Sequence, residues 1–224
     1  MIDTEPLWLT LKLAFITTAI LLLISIPLAW WLAYKKNNFK TIAEVIVSMP
    51  LVLPPSVIGF YLLLAFSPSH TFGKLLEEYF DVRLVFSFPG LVIASIIYSL
   101  PFMVHPLQSG FTSLSPSLRE AAYSLGKTKW QTLWHVLLPN IKSSLLSGIV
   151  LTFAHTIGEF GVVLMIGGNI PGVTKVASIA VYDEVEMMNY SAANTYALIL
   201  FVTSFIILLA VYIINRRFAQ IKFI

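Results

Sequence analysis

Apolar residues in this chain gather in long unbroken blocks rather than alternating with polar ones. Five blocks, residues 13–34, 45–66, 89–108, 143–166 and 192–214, are long enough to cross a hydrocarbon core, which takes about 20 residues of helix. Lipid offers backbone N–H and C=O groups no outside partner, so each block is predicted to be a helix. An odd number of crossings sends the two termini to opposite sides.

Two shorter stretches between the blocks have helical period. Phe72, Leu75, Leu76, Tyr79 and Phe80 fall on one face, with Lys74, Glu77, Glu78 and Asp81 around the rest. This reads as a helix lying on the membrane surface or as part of a seat for an outside partner. Further on, Gly167-Gly168-Asn169-Ile170-Pro171-Gly172 is a turn-rich break leading to Asp183-Glu184-Val185-Glu186, which by itself reads as a solvated face.

The second stretch is the polar insert 113–139, between the third and fourth blocks. Ser115 before Pro116 is a helix start, with Ser117 and Glu120 offering a capping box one register later. Leu118, Ala121, Ala122 and Leu125 form an apolar stripe at i, i+3, i+4 and i+7. Gly126 ends the helix where a positive φ is wanted. Thr128 and Gln131 restart a second helix that runs toward Pro139. Two readings of this hairpin stand on the residues alone: it packs under its own bundle, or it inserts into a groove of a soluble partner.

Composition makes the class definite. Of 224 residues 58% are hydrophobic and only 11% charged, more apolar surface than a soluble domain of this size buries, so the chain is an integral membrane protein. It has no cysteine, which removes disulfides and thiolate metal sites. The N-terminal Met1-Ile2-Asp3-Thr4-Glu5 lacks the cationic region of a signal peptide, so the first block is expected to be a retained span. No internal repeat or domain boundary divides residues 1–224, which read as one transmembrane domain.

Charge sets the orientation. Ten of the fourteen Lys and Arg fall on one side: Lys35, Lys36, Lys40, Arg119, Lys127, Lys129, Lys142, Arg216, Arg217 and Lys222. The positive-inside rule places that side and the C-terminus in the cytoplasm, with the N-terminus outside. Trp30, Trp31 and Tyr34 sit where the cytoplasmic aromatic belt belongs.

Chemistry within the spans is sparse. Pro50, Pro54 and Pro55 in the second span free backbone groups, and in a membrane that is tolerated where protein or water re-satisfies them. Pro54, Pro55 and Ser56 are therefore candidates for a path through the bundle, although proline kinks are also common in spans that line nothing. Glu159 is the one carboxylate inside the five blocks. Burying it ionised costs about 2.5–3.5 kcal/mol, so it should face protein or water. His155, one turn earlier, is placed to pair with it, and with Thr156 these residues are candidates for a gate or for a polar pair that fixes helix packing. Ala121-x4-Gly126-Lys127-Thr128 is one glycine short of a phosphate-binding loop, and no buried strand precedes it, so nucleotide binding by this chain is not expected. With no cysteine and no His-Glu-x-x-His, an intramembrane enzyme lacks its parts.

The insert carries a resemblance. Glu120-Ala121-Ala122, three residues, Gly126, nine residues, then Val136-x-Leu138-Pro139 resembles the coupling motif of ABC importer permeases, with valine where isoleucine is usual. The resemblance implies an all-α polytopic protein of about five transmembrane helices with the type I importer permease fold. In such a protein coupling helices lie between spans three and four, and Arg119, Glu120, Ala121, Ala122, Gly126, Leu138 and Pro139 make or shape the contact with a cytoplasmic ATPase.

Residues 49–59 and 155–161, with Gly168-Asn169-Ile170-Pro171-Gly172, are similar to those of molybdate importer permeases. Sulfate importer permeases share Gly-Glu-Phe/Tyr-Gly and Asn-x-Pro-Gly but are usually longer, and tungstate importers are a further alternative. His155 stands where related permeases commonly carry arginine.

The implied protein is a membrane subunit of the bacterial inner membrane that imports molybdate by alternating access. It would work as a homodimer with an ATPase dimer and an extracytoplasmic molybdate-binding protein. It would bind no cofactor, metal or nucleic acid itself, ATP being hydrolysed by the partner. A channel or secondary transporter needing no ATPase would leave the insert unexplained.

Overall fold

The structure is a computed structural model describing residues 3–35 and 37–220, without the side chains of 215–220. Met1, Ile2, Lys36 and Lys222, and the side chains of Arg216 and Arg217, lie outside the described residues.

Its elements, in order, are α1 (Glu5–Tyr34), α2 (Asn38–Val52), α3 (Pro55–Phe66), α4 (Thr71–Phe80), α5 (Phe88–Thr112), α6 (Pro116–Ser124) and α7 (Lys129–Thr132). A π-helical turn, Leu133–Leu137, leads to α8 (Leu138–Asn140), α9 (Lys142–Gly158), α10 (Gly161–Gly167), α11 (Ala177–Glu186) and α12 (Tyr190–Gln220). All described secondary structure is helical.

Among the described residues α1, α5 and α12 are each long and apolar enough to cross a membrane unaided. The predicted second span is not one rod: α2 and α3 meet at 113°. Leu53, ahead of Pro54, is extended with ψ 138°, the conformation a following proline imposes, and Pro55 then opens α3. The predicted fourth span is also divided. α9 stops at Gly158, Glu159 is extended with ψ 132°, and α10 restarts at Gly161. A further bend of 81° separates α7–α8 from α9. Counting each bent pair as one span brings the crossings to as many as five.

Two departures concern length. α1 begins eight residues before the predicted block, because the polar start Glu5-Pro6 still supplies a helix N-terminus. α2 likewise begins at Asn38, capped by the Asn37 side chain accepting from the Lys40 amide. It therefore carries Glu44, a carboxylate just outside the predicted second block. Gln108 of α5 donates to Glu44 at 2.5 Å, and Ser48 meets His105 at 3.2 Å, so α2 is tied to α5 by polar contacts one turn apart.

α1, α5 and α9 pack together at the centre. One apolar cluster, around Leu13, Leu91, Val162 and Ile166, holds α1, α3, α5 and α10. A second, around Leu21, Leu32, Met103, Leu107, Phe111, Leu133 and Leu137, joins α1 and α5 to the π turn. α12 packs on α9 and α11 and leaves Leu198, Phe201, Phe205 and Tyr212 exposed. In α4, Phe72, Leu75, Tyr79 and Phe80 are exposed while Leu76 packs inward.

Candidate coupling surface and translocation path

The polar insert folds as the helix, turn and helix expected from its sequence, with differences at the start. Pro116 opens α6, but the Ser115 hydroxyl caps no amide. It bonds the Ser117 hydroxyl at 2.7 Å instead, so neither predicted cap forms. The end of α6 follows the expectation. Gly126 has φ 77°, its amide donates to Tyr123 O, and the Lys127 amide donates to Ala122 O, the paired bonds of a Schellman turn. Thr128 and Gln131 form the full capping box that starts α7. Pro139 follows the π turn, and Asn140 Nδ2 donates to the Val136 carbonyl at 2.6 Å. A widened turn of this kind is common at functional sites.

The apolar stripe of α6 divides in two. Ala122 is buried and Leu118 packs against the second cluster, rooting the helix on the π turn. Glu120, Ala121, Ser124 and Leu125 stay exposed, Leu125 at 80%. Trp130 and Trp134 add exposed apolar surface beside them. Arg119 turns the other way, its guanidinium 4.4 Å above the Tyr34 ring of α1. Leu138 is half-buried and Pro139 exposed.

The path candidates come together from three distant segments. An open hollow of about 580 Å³ is lined by Pro55, Ser56, Tyr98, Ala154, His155, Gly158, Glu159, Phe160 and Gly161. It lies where the break between α2 and α3 meets the break between α9 and α10. Gly161 makes that meeting possible: a Cβ there would sit 2.8 Å from the Pro55 Cβ. Pro54 is exposed at the α3 N-terminus and is not among the lining residues.

The expected pairing of His155 with Glu159 does not occur. His155 Nδ1 meets the Ser99 hydroxyl at 3.0 Å, and its ring stacks on Phe102 at 3.9 Å. Because α9 ends at Gly158, the backbone at Glu159 leaves the helix, and the i, i+4 relation that would have joined them is lost. Thr156 is buried, bonded to Ser99 at 3.2 Å and donating to Thr152 O at 2.9 Å, so it braces the hollow from behind.

Glu159 is 4% exposed, and neither carboxylate oxygen accepts a hydrogen bond among the described residues. Its backbone carbonyl, freed by the helix break, accepts from Ser178 Oγ at 2.6 Å. Ser99, Phe102 and Ser178 escaped the sequence reading, since nothing in their spacing marks them. Their role appears only once α5 and α11 are packed against α9.

The turn-rich break and the acidic stretch are joined rather than separately solvated. Asn169 Nδ2 donates to Asp183 Oδ1 at 2.9 Å, and Lys175 pairs with Asp183. Thr174 Oγ1 donates to Gly167 O and accepts from the Ile170 amide. Glu186 accepts from Tyr182 and holds that phenol above its ordinary pKa.

Residues 25–220 match the family described as binding-protein-dependent transport system inner membrane component. The chain belongs to that family.

This permease is 43% identical to the molybdenum transport system permease ModB of Azotobacter vinelandii, over 96% of this chain and 95% of that one. It is 30% identical to the sulfate transport system permease CysT of Escherichia coli K12, over 94% of this chain and 76% of that one. Among solved structures it resembles a chain of a bacterial ABC transporter that imports alginate, with TM-score 0.77, 19% identity and coverage of 95% and 78%. It also resembles a chain of the MetNI methionine ABC transporter, with TM-score 0.74, 16% identity and coverage of 96% and 94%. The permease thus has the fold of ABC importer membrane subunits, and it is a transport component of the inner membrane rather than an enzyme.

Proposed function

We propose that this permease carries molybdate inward as one of two identical membrane subunits. A dimeric ATPase docks on the exposed face of α6, and a molybdate-binding protein delivers the anion from outside. The carrying observation is the division of α6. Leu118 packs on the second cluster and Ala122 is buried, while Glu120, Ala121 and Leu125 are exposed. A helix that only packed under its own bundle would bury its large apolar residues, and Leu125 is 80% exposed.

Orientation follows the distribution of Lys and Arg, with α6 and the C-terminus in the cytoplasm and the N-terminus outside. Arg119 and Gly126 shape the contact: Arg119 holds α6 against α1, and Gly126 permits the turn after Leu125. Leu138 and Pro139 close the segment 113–139 within the single transmembrane domain 1–224. ATP is bound and hydrolysed by the partner, and this chain takes no cofactor. When the ATPases close on ATP, the two copies of α6 are drawn together. The π turn passes that displacement to α5 and α9, and the hollow at Pro55, Ser56, His155 and Glu159 opens outward. A carboxylate is a poor ligand for a doubly charged anion, so Glu159 serves as gate or dimer contact. Selectivity resides mainly in the binding protein.

Molybdate is favoured over sulfate because similarity to the molybdenum permease runs over nearly the full length of both chains. ATP-dependent uptake of labelled molybdate in cells lacking this chain tests the reading. Uptake restored by the wild-type gene and resistant to excess sulfate supports it, and tungstate competition measures the overlap. Uptake abolished by sulfate moves the substrate to sulfate.

A further inference from the structure

A pocket of about 420 Å³ lies where the end of α1 meets α6 and α7. Three cations line it, Lys35, Arg119 and Lys129, together with the aromatic rings of Trp31, Tyr34 and Trp130, and no carboxylate. Among the described residues none of the three cations is within ion-pair distance of an acid, the described pairs being Lys40–Glu44, Lys74–Glu78 and Lys175–Asp183. Arg119 lies over the Tyr34 ring with its guanidinium carbon 4.4 Å from the ring centre, and the Tyr34 hydroxyl is fixed by donating to Phe111 O at 3.0 Å. Among the described residues the guanidinium N–H groups donate to no acceptor.

We infer that this pocket binds the phosphodiester headgroup of an anionic phospholipid from the leaflet on the α6 side. Three convergent cations without acids select an anionic phosphate. Basic pockets between helices at this level suit lipid headgroups, and Trp31 and Tyr34 stand at the aromatic belt where headgroups lie. The surroundings favour a lipid over a free oxyanion. Trp31 meets Phe39 edge-on at 6.3 Å, and Phe39, Ile42 and Ile46 continue from it as an exposed apolar row on α2. An acyl chain needs such a row and a soluble anion does not. The headgroup would bridge α1 to α6 through Arg119 and so stiffen the root of the coupling helix.

The test is native mass spectrometry of the full-length permease, purified in detergent and supplied with equal phosphatidylglycerol and phosphatidylcholine. Wild type is expected to retain phosphatidylglycerol about tenfold over phosphatidylcholine, and Arg119→Gln with Lys129→Gln to erase that preference. Lys129→Gln alone, at an exposed position, gives a partial loss and keeps the reading independent of any folding defect in the double variant. Equal retention of the two lipids overturns the inference, as does a double variant that melts like wild type and keeps the preference. Displacement of phosphatidylglycerol by equimolar inorganic phosphate would make this a soluble-anion site and would also overturn it.

Discussion

Gly161 stands so close to Pro55 that the Cβ of an alanine at that position would lie 2.8 Å from the proline Cβ. The neighbour is a ring locked into the backbone, so it cannot swing aside. Gly161→Ala is expected to destabilise the permease by about 1–3 kcal/mol through overpacking. Gly158→Ala, where nothing lies within 4 Å, serves as the control. Thermal unfolding in detergent measures both, and equal melting temperatures would refute the close approach.

His155 depends on Ser99 rather than on Glu159. Ser99→Ala leaves the imidazole nitrogen without its partner, at a cost of about 1–3 kcal/mol. In double-variant cycles Ser99→Ala and His155→Gln should couple by roughly 0.5 kcal/mol or more. The pair His155→Gln and Glu159→Gln should couple less than that. The reverse order would restore the pairing first expected from sequence.

The two halves of the α6 stripe should separate docking from folding. Leu125→Asp changes an exposed side chain and should move stability by no more than about 0.5 kcal/mol. It should nevertheless abolish co-purification with the ATPase. Ala122→Asp buries an unpaired charge and should destabilise the permease itself. Pull-down and melting temperature, measured on both variants, check the distinction. A Leu125→Asp protein that binds the ATPase normally would remove α6 as the docking element.

Much of this architecture could be read from the chain, and the failures share a cause. Block length located α1, α5 and α12 because a continuous apolar run admits one solution in lipid. Gly126 and the Thr128–Gln131 box were legible because a turn and a cap are local events. Pro54 announced a break, but the 113° angle depends on what α3 packs against. The break at Glu159 had no proline to mark it, so an i, i+4 partner was assigned where no helix continues. Glu44 was missed because its block was drawn from apolar residues alone. Its carboxylate is accommodated in the bundle because Gln108 donates to it and Lys40 pairs with it.

Asp183 joins the loop after α10 to α11 through both Asn169 and Lys175. Asp183→Ala should free the 168–176 loop and leave Lys175 half-buried without its counter-ion, a loss of about 1.5–3 kcal/mol. Hydrogen exchange is expected to quicken across 168–176 while the amides of α1 and α5 keep their protection. Unchanged exchange in the loop would show that Thr174 holds it alone.

The meeting of the two helix breaks divides the permease into parts of unequal stiffness. α1 and α5 run as unbroken helices through Pro27 and through Pro101 and Pro106, and together they form a chassis. The pairs α2–α3 and α9–α10 are jointed, and their joints abut at Gly161 and Pro55. A machine built this way changes shape at its elbows before it flexes its struts. Spin labels on α1 and α5 should therefore keep their spacing through a transport cycle, while labels on α3 and α9 should move apart and return.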